Sequence, residues 1–156
     1  MNITVLNKSL FLLNINSYKF SRLTKYICII FLAEILKKNS DVDIAFMLDA
    51  TSSMKKNLIA VEQNIADVVM KVRDTFTDIK IRVALVAYRD YSEASMHFQI
   101  LDFTDDVDEF IKFLSGVRAF YGGDIPEDVL GALDKTINLS WKQANKLFFQ
   151  IGKIIE

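Results

Sequence analysis

Asp49, Thr51 and Ser53 stand at alternate positions in the stretch DIAFMLDATSSM, residues 43–54. Together they offer one carboxylate and two hydroxyls, and alternate residues of an extended or gently turning segment point the same way. Such small, hard oxygens suit magnesium or manganese, which want near-octahedral oxygen shells and keep part of their water. Two other chemistries use the same pattern. A strand ending in aspartate is how aspartyl-phosphate enzymes present a nucleophile, and Ser52 or Ser53 can cap a helix that starts near Met54. A phosphatase of that kind wants a second aspartate two residues on as general acid, and Thr51 occupies that position.

Two further carboxylates sit at turns. Asp90 follows the apolar run IRVALVAY, residues 81–88, in the polar turn Arg89-Asp90-Tyr91. Asp124 lies in YGGDIPED, residues 121–128, the most concentrated turn signal of the chain. There Asp124 and Glu127 are spaced as a capping box and Pro126 suits a helix's first turn, which alone explains all three. The double glycine before them lets the backbone approach another element closely, which a helix start does not need.

These groups have to be delivered by strands and helices, and the hydrophobic periodicity from Asp41 onward switches repeatedly. Val42–Leu48 is an almost continuous apolar run, the pattern of a strand buried on both faces of a parallel sheet. Met54–Phe76 then repeats at helical spacing, with Leu58, Val61, Ile65, Val68, Val69, Val72 and Phe76 on one stripe. Ile81–Tyr88 is a second buried strand, and Met96–Phe103 alternates more weakly, as an edge strand reached by a hairpin would. Thr104 reads as the N-cap of a helix whose first turn is crowded with Asp105, Asp106, Asp108 and Glu109. A helix from Pro126 to about Leu139 and a strand over Leu147–Ile151 complete the series. The order predicts an α/β three-layer sandwich with a mostly parallel sheet and an antiparallel edge strand. Ligands in such folds sit beyond the carboxyl ends of the strands, where Asp49, Asp90 and Asp124 all fall.

At 156 residues, 51% apolar and 25% charged, the chain has room for one domain with a real core and is too polar for a multi-span membrane protein. The single cysteine, Cys28, demands no oxidising compartment, so the cytoplasm is the expected location and secretion the alternative. The lone histidine, His97, reads as a half-exposed strand residue, not a ligand. The net charge of −1 hides an asymmetry. Residues 1–40 carry six lysines and arginines against Glu34 alone, which divides the chain into a basic, apolar segment 1–40 and a domain 41–156. The run Tyr26–Ala33 is too short for a confident membrane span. A helix over about Lys19–Lys38 packed on the domain, or an arm, is expected ahead of a targeting or membrane-contacting segment. Nucleic acid binding has little support, because this basic region holds no recognisable motif.

Four ordered stretches together resemble the von Willebrand factor A domain: DATSSM at 49–54, VALVAYRDY at 83–91, LDFTDDV at 101–107 and GGDIPEDVLGAL at 122–133. The closest variety is that of atypical alpha-kinases and hemicentin-like proteins. The resemblance implies a Rossmann-like sheet with a metal-ion-dependent adhesion site, where a magnesium or manganese ion bridges the domain to a partner protein's carboxylate. It makes Asp49, Thr51, Ser53 and Asp124 the implied metal ligands; Asp90, Glu127 and Lys153 are expected at the rim of the site. The family usually places a further site aspartate after the strand at 147–151, whereas here Lys153 stands roughly in that place. The chain therefore reads as incomplete at its C-terminus, with the strand near Leu147 as an unprotected edge and with weak metal binding. No Gly-rich nucleotide loop or kinase catalytic motif occurs in the sequence. The expected function is a protein-binding module without chemistry of its own, or else the recognition fragment of a longer alpha-type kinase.

Overall fold

The computed structural model describes residues 2–7, 10–16, 41–90, 97–120, 128–143 and 145–152. Six strands form one sheet: β1 (Asn2–Asn7), β2 (Leu10–Asn16), β3 (Val42–Asp49), β4 (Ile81–Tyr88), β5 (Phe98–Thr104) and β6 (Asn145–Gly152). Their spatial order is β1-β2-β6-β3-β4-β5. β3 runs parallel to β4 and to β6, β6 parallel to β2, and β5 is the antiparallel edge strand on β4. The expected mixed α/β sandwich is what forms.

The continuous apolar runs are central because both faces of the sheet are covered. Val42, Ile44, Phe46 and Leu48 pack with α1 (Leu58–Thr75) and α2 (Val107–Ser115), while Met47, Val86 and Phe148 pack against the opposite layer, α3 (Val129–Ile137). Phe46 stacks on Phe149 of β6 at 5.1 Å between ring centroids and meets Phe110 of α2 at 5.8 Å. Truncating it would open the centre of three elements at a cost of about 3–5 kcal/mol. α1 buries Leu58, Val61, Ile65, Val68, Val69 and Val72, the stripe read from the sequence.

Several boundaries differ from the sequence reading. A single 3-10 turn, Ser52–Met54, precedes α1, closed by Met54 N donating to Thr51 O and Lys55 N to Ser52 O. Asn57 stands at the N-cap of α1, so neither Ser52 nor Ser53 caps that helix. α2 is capped by Asp106, whose carboxylate accepts from the backbone N–H of Asp108 and Glu109. Thr104, the expected cap, instead accepts from Asp106 N and fixes the cap residue itself. The described part of α3 is capped by Asp128, which accepts from Gly131 N.

β6 is not an unprotected edge. β2 lies along it in parallel register from Leu10 opposite Lys146 to Asn16 opposite Gly152, and β1 continues the sheet as an antiparallel neighbour of β2. The expected helix over Lys19–Lys38 lies outside the described residues. Among those described, no helix is long and apolar enough to cross a membrane.

At the amino end of the strands a buried ion pair ties the sheet together. Asp43 on β3 accepts from Arg82 on β4 twice, at 2.9 and 2.8 Å, and from the backbone N–H of Lys142 and Gln143 at 2.6 and 2.9 Å. Arg82 also donates to Ser140 O at 2.9 Å and lies over the Phe103 ring. Both Asp43 oxygens and the Arg82 Nε and Nη2 thus meet partners, the kind of compensation under which a buried pair is tolerated.

Candidate functional site

The opposite, carboxyl end of the strands carries Asp49, Thr51, Ser53 and Asp90. β3 ends on Asp49, 1% exposed, in register with Tyr88 of β4, and Leu48 is in register with Ile151 of β6. Asp49 Oδ1 accepts from Thr51 N at 2.9 Å and from Thr51 Oγ1 at 2.7 Å. Thr51 Oγ1 lies 3.0 Å from Ser53 Oγ. The three side chains therefore form a continuous string of oxygens. Thr51 is buried, Ser53 is exposed and Met54 beneath them is fully buried, pinning the turn to the core.

This arrangement orients protons as well as oxygens. Thr51 spends its hydroxyl proton on Asp49, so its lone pairs face Ser53 and the solvent side. Ser53 can rotate its own proton away and present a second oxygen. The donor set is hard and uncharged apart from the carboxylate, which fits a small divalent cation that retains water.

Gly152, which no sequence pattern marked, closes the site from β6. A Cβ there would come within 3.2 Å of both Asp49 Cβ and Tyr88 Oη. The strand can approach the carboxylate so closely only because it has no side chain at that position.

Asp90, just past β4, is 2% exposed. Its Oδ1 is buried without a hydrogen-bond partner among the described residues. Next to it Arg89 is fully buried, donating from Nη2 to Gln99 Oε1 at 2.7 Å and to Arg118 O at 2.6 Å, with its guanidinium over the Phe120 ring. Arg89, which the sequence presents only as a turn residue, clamps β5 and the segment after α2 to the end of β4. His97 Nε2 lies 3.0 Å from Asp128 Oδ2, so the histidine supports the cap of α3 at the same end of the sheet.

Asp124, Glu127 and Lys153 lie outside the described residues. Both anchors of the segment carrying the first two are visible. Phe120 N donates to Ala50 O at 3.3 Å, and Asp128 N donates to Arg89 O at 3.4 Å. Phe120 is thus held at the Asp49 turn and Asp128 at the end of β4. Among the described residues, no three histidine, cysteine or acidic side chains converge into a metal-holding group.

The von Willebrand factor A domain family model matches residues 43–150. The chain belongs to that family. Domains of this family generally mediate protein–protein interaction and are generally non-catalytic. This A domain is 29% identical over 109 residues to an alpha-protein kinase of Dictyostelium discoideum, covering 69% of this chain and 17% of the kinase. It is 31% identical over 86 residues to an ariadne-like RING finger protein of Acanthamoeba polyphaga mimivirus, covering 55% of this chain and 8% of that protein. The chain thus spans less than a fifth of the length of either relative. A solved structure of an Alicyclobacillus acidocaldarius protein is similar at a TM-score of 0.47 and 12% identity, covering 72% of this chain and 58% of that one. That likeness is too distant to bear on function.

Proposed function

We propose that this A domain is a protein-binding module whose grip depends on a divalent cation, magnesium or manganese, held by Asp49, Thr51 and Ser53 with Asp124. The observation that carries the reading is the string of oxygens from Asp49 through Thr51 to Ser53 at the carboxyl end of the sheet. The anchoring of both ends of segment 121–127 at that same end supports a place for Asp124 in the set. When bound, the cation supplies a Lewis-acidic position for a carboxylate of the partner protein. The residues of this chain do the rest. Asp49 provides charge, Thr51 holds Asp49 in one orientation, Ser53 offers an exposed oxygen, and Gly152 lets β6 pack close beside Asp49.

With few anionic ligands, dehydration of the cation is poorly compensated, so binding is weak and the partner's carboxylate and the cation bind cooperatively. Isothermal titration calorimetry with magnesium and manganese tests the reading. Weak binding by the wild type, abolished in Asp49→Ala and strengthened in Lys153→Asp, is expected. Tight binding that survives the loss of Asp49 would place the ion elsewhere.

A second reading is favoured by the match to the Dictyostelium alpha-protein kinase. On it the module is the recognition part of a longer kinase and contributes no chemistry itself. Titrating the separately expressed kinase domain with this domain, and finding no change in substrate selection, would count against it.

A further inference from the structure

The string Asp49-Thr51-Ser53 holds one negative charge, too little for a dication in a site lined by neutral hydroxyls. A second carboxylate is available in the described structure. We infer that Asp90 belongs to the cation site as a further anionic group beside Asp49, in direct or water-mediated contact with the ion; this rests on the cation reading above.

Three observations converge on Asp90. The ladder between β3 and β4 pairs Asp49 with Tyr88, and Ala50 N donates to Tyr88 O at 2.9 Å just beyond the last pair. The same register, extended two residues past the strand ends, would set Asp90 level with Thr51. Next, Asp90 is 2% exposed and its Oδ1 is buried with no hydrogen-bond partner among the described residues. Buried polar atoms ordinarily meet at least one hydrogen-bond partner, and leaving one unsatisfied is costly, more so when it is charged. Lastly, the neighbouring Arg89 guanidinium donates to Gln99 and the Arg118 carbonyl and lies over Phe120. A cation is the partner such an oxygen lacks, and the hydroxyls of Thr51 and Ser53 make the adjoining position one that a magnesium-sized ion suits.

A buried aspartate kept only for packing and one kept for a cation respond oppositely to isosteric neutralisation. Asp90→Asn preserves the shape and removes the charge. The test compares wild type, Asp90→Asn and Asp49→Ala in the full chain, by manganese titration and by thermal unfolding in chelator and in millimolar manganese. Expected is a tenfold or greater loss of manganese affinity in Asp90→Asn. The variant's melting temperature in chelator should equal or exceed that of wild type, with the order reversed in manganese. Asp90→Ser, which removes the charge and shortens the side chain, should show the same affinity loss. Manganese affinity unchanged in both Asp90 variants, with Asp49→Ala still abolishing binding, would overturn the role of Asp90 alone. A lower melting temperature of Asp90→Asn in chelator with unchanged affinity in Asp90→Ser would show a structural role and overturn it too. Absence of manganese binding by the wild type would overturn the cation reading as a whole.

Discussion

Removing Asp43 should destabilise the domain severely while leaving cation binding intact. The carboxylate is fully buried and accepts four hydrogen bonds, two from Arg82 and one each from Lys142 N and Gln143 N. Asp43→Ala leaves the Arg82 guanidinium, itself only 7% exposed, without its counter-charge, and strands two backbone N–H groups. Breaking one side of a buried pair costs about 3–5 kcal/mol. A small domain has about 5–15 kcal/mol in total, so the variant should unfold at a far lower urea concentration. Replacing both partners, as in Asp43→Leu with Arg82→Met, removes the uncompensated charge. It should cost less than the sum of the single changes, with a coupling of about 1–3 kcal/mol. Equilibrium urea unfolding at neutral pH measures this. Six residues of strand, about 20 Å, separate Asp43 from Asp49, so the folded fraction should bind manganese with wild-type affinity. A loss below about 1 kcal/mol in Asp43→Ala, with an unchanged denaturant slope, would refute the reasoning.

Gly152→Ala should place a methyl group against Asp49 Cβ and Tyr88 Oη, costing about 1–3 kcal/mol of stability by overpacking and weakening manganese binding in the same calorimetric titration. Gly131→Ala should drive a Cβ into the Asp128 cap carboxylate, removing about 1 kcal/mol in thermal unfolding. Burial tends to raise the pKa of Asp102, but the hydrogen bonds it accepts from Ser140 and Phe103 outweigh that and hold it below the usual carboxylate value. Its folded pKa is therefore below the unfolded one, so its stabilisation is present above the unfolded value near 4 and fades as pH falls through the folded one. Ser140→Ala should lower stability at neutral pH by only a few tenths of a kcal/mol, since solvent screens this exposed contact, and the gap to wild type should shrink in urea melts as the solution is acidified below that value. Burial raises the pKa of Glu62, partly opposed by Arg118. Its charge is a burden above the folded pKa, so Glu62→Gln should match wild type in acid and exceed it slightly at neutral pH.

The strands at Val42–Asp49 and Ile81–Tyr88 were legible because burial on both faces leaves an unbroken apolar run, and α1 was legible because one buried face imposes a 3.6-residue period. β1 and β2 were not. Their asparagines lower strand propensity, and β2 finds its partner, β6, at the far end of the chain, a pairing no local pattern encodes. The α2 cap is Asp106 and not Thr104; both offer suitable oxygens, and only the geometry of the turn decides between them. At the site, Asp49, Thr51 and Ser53 were readable as a unit because their contacts are local. The importance of Gly152 and Arg89 was hidden because it arises where separate strands meet: one must stay small against Asp49, the other joins β4 to β5 and the Arg118 carbonyl.

The most direct test of the cation-dependent module is the anomalous difference density of crystals soaked in manganese and measured at the manganese absorption edge. A single peak within about 2.5 Å of the Asp49 carboxylate and within coordination or one-water distance of Thr51 Oγ1, Ser53 Oγ and Asp90 is the expected result. Full occupancy elsewhere, with no density at Asp49, would contradict it.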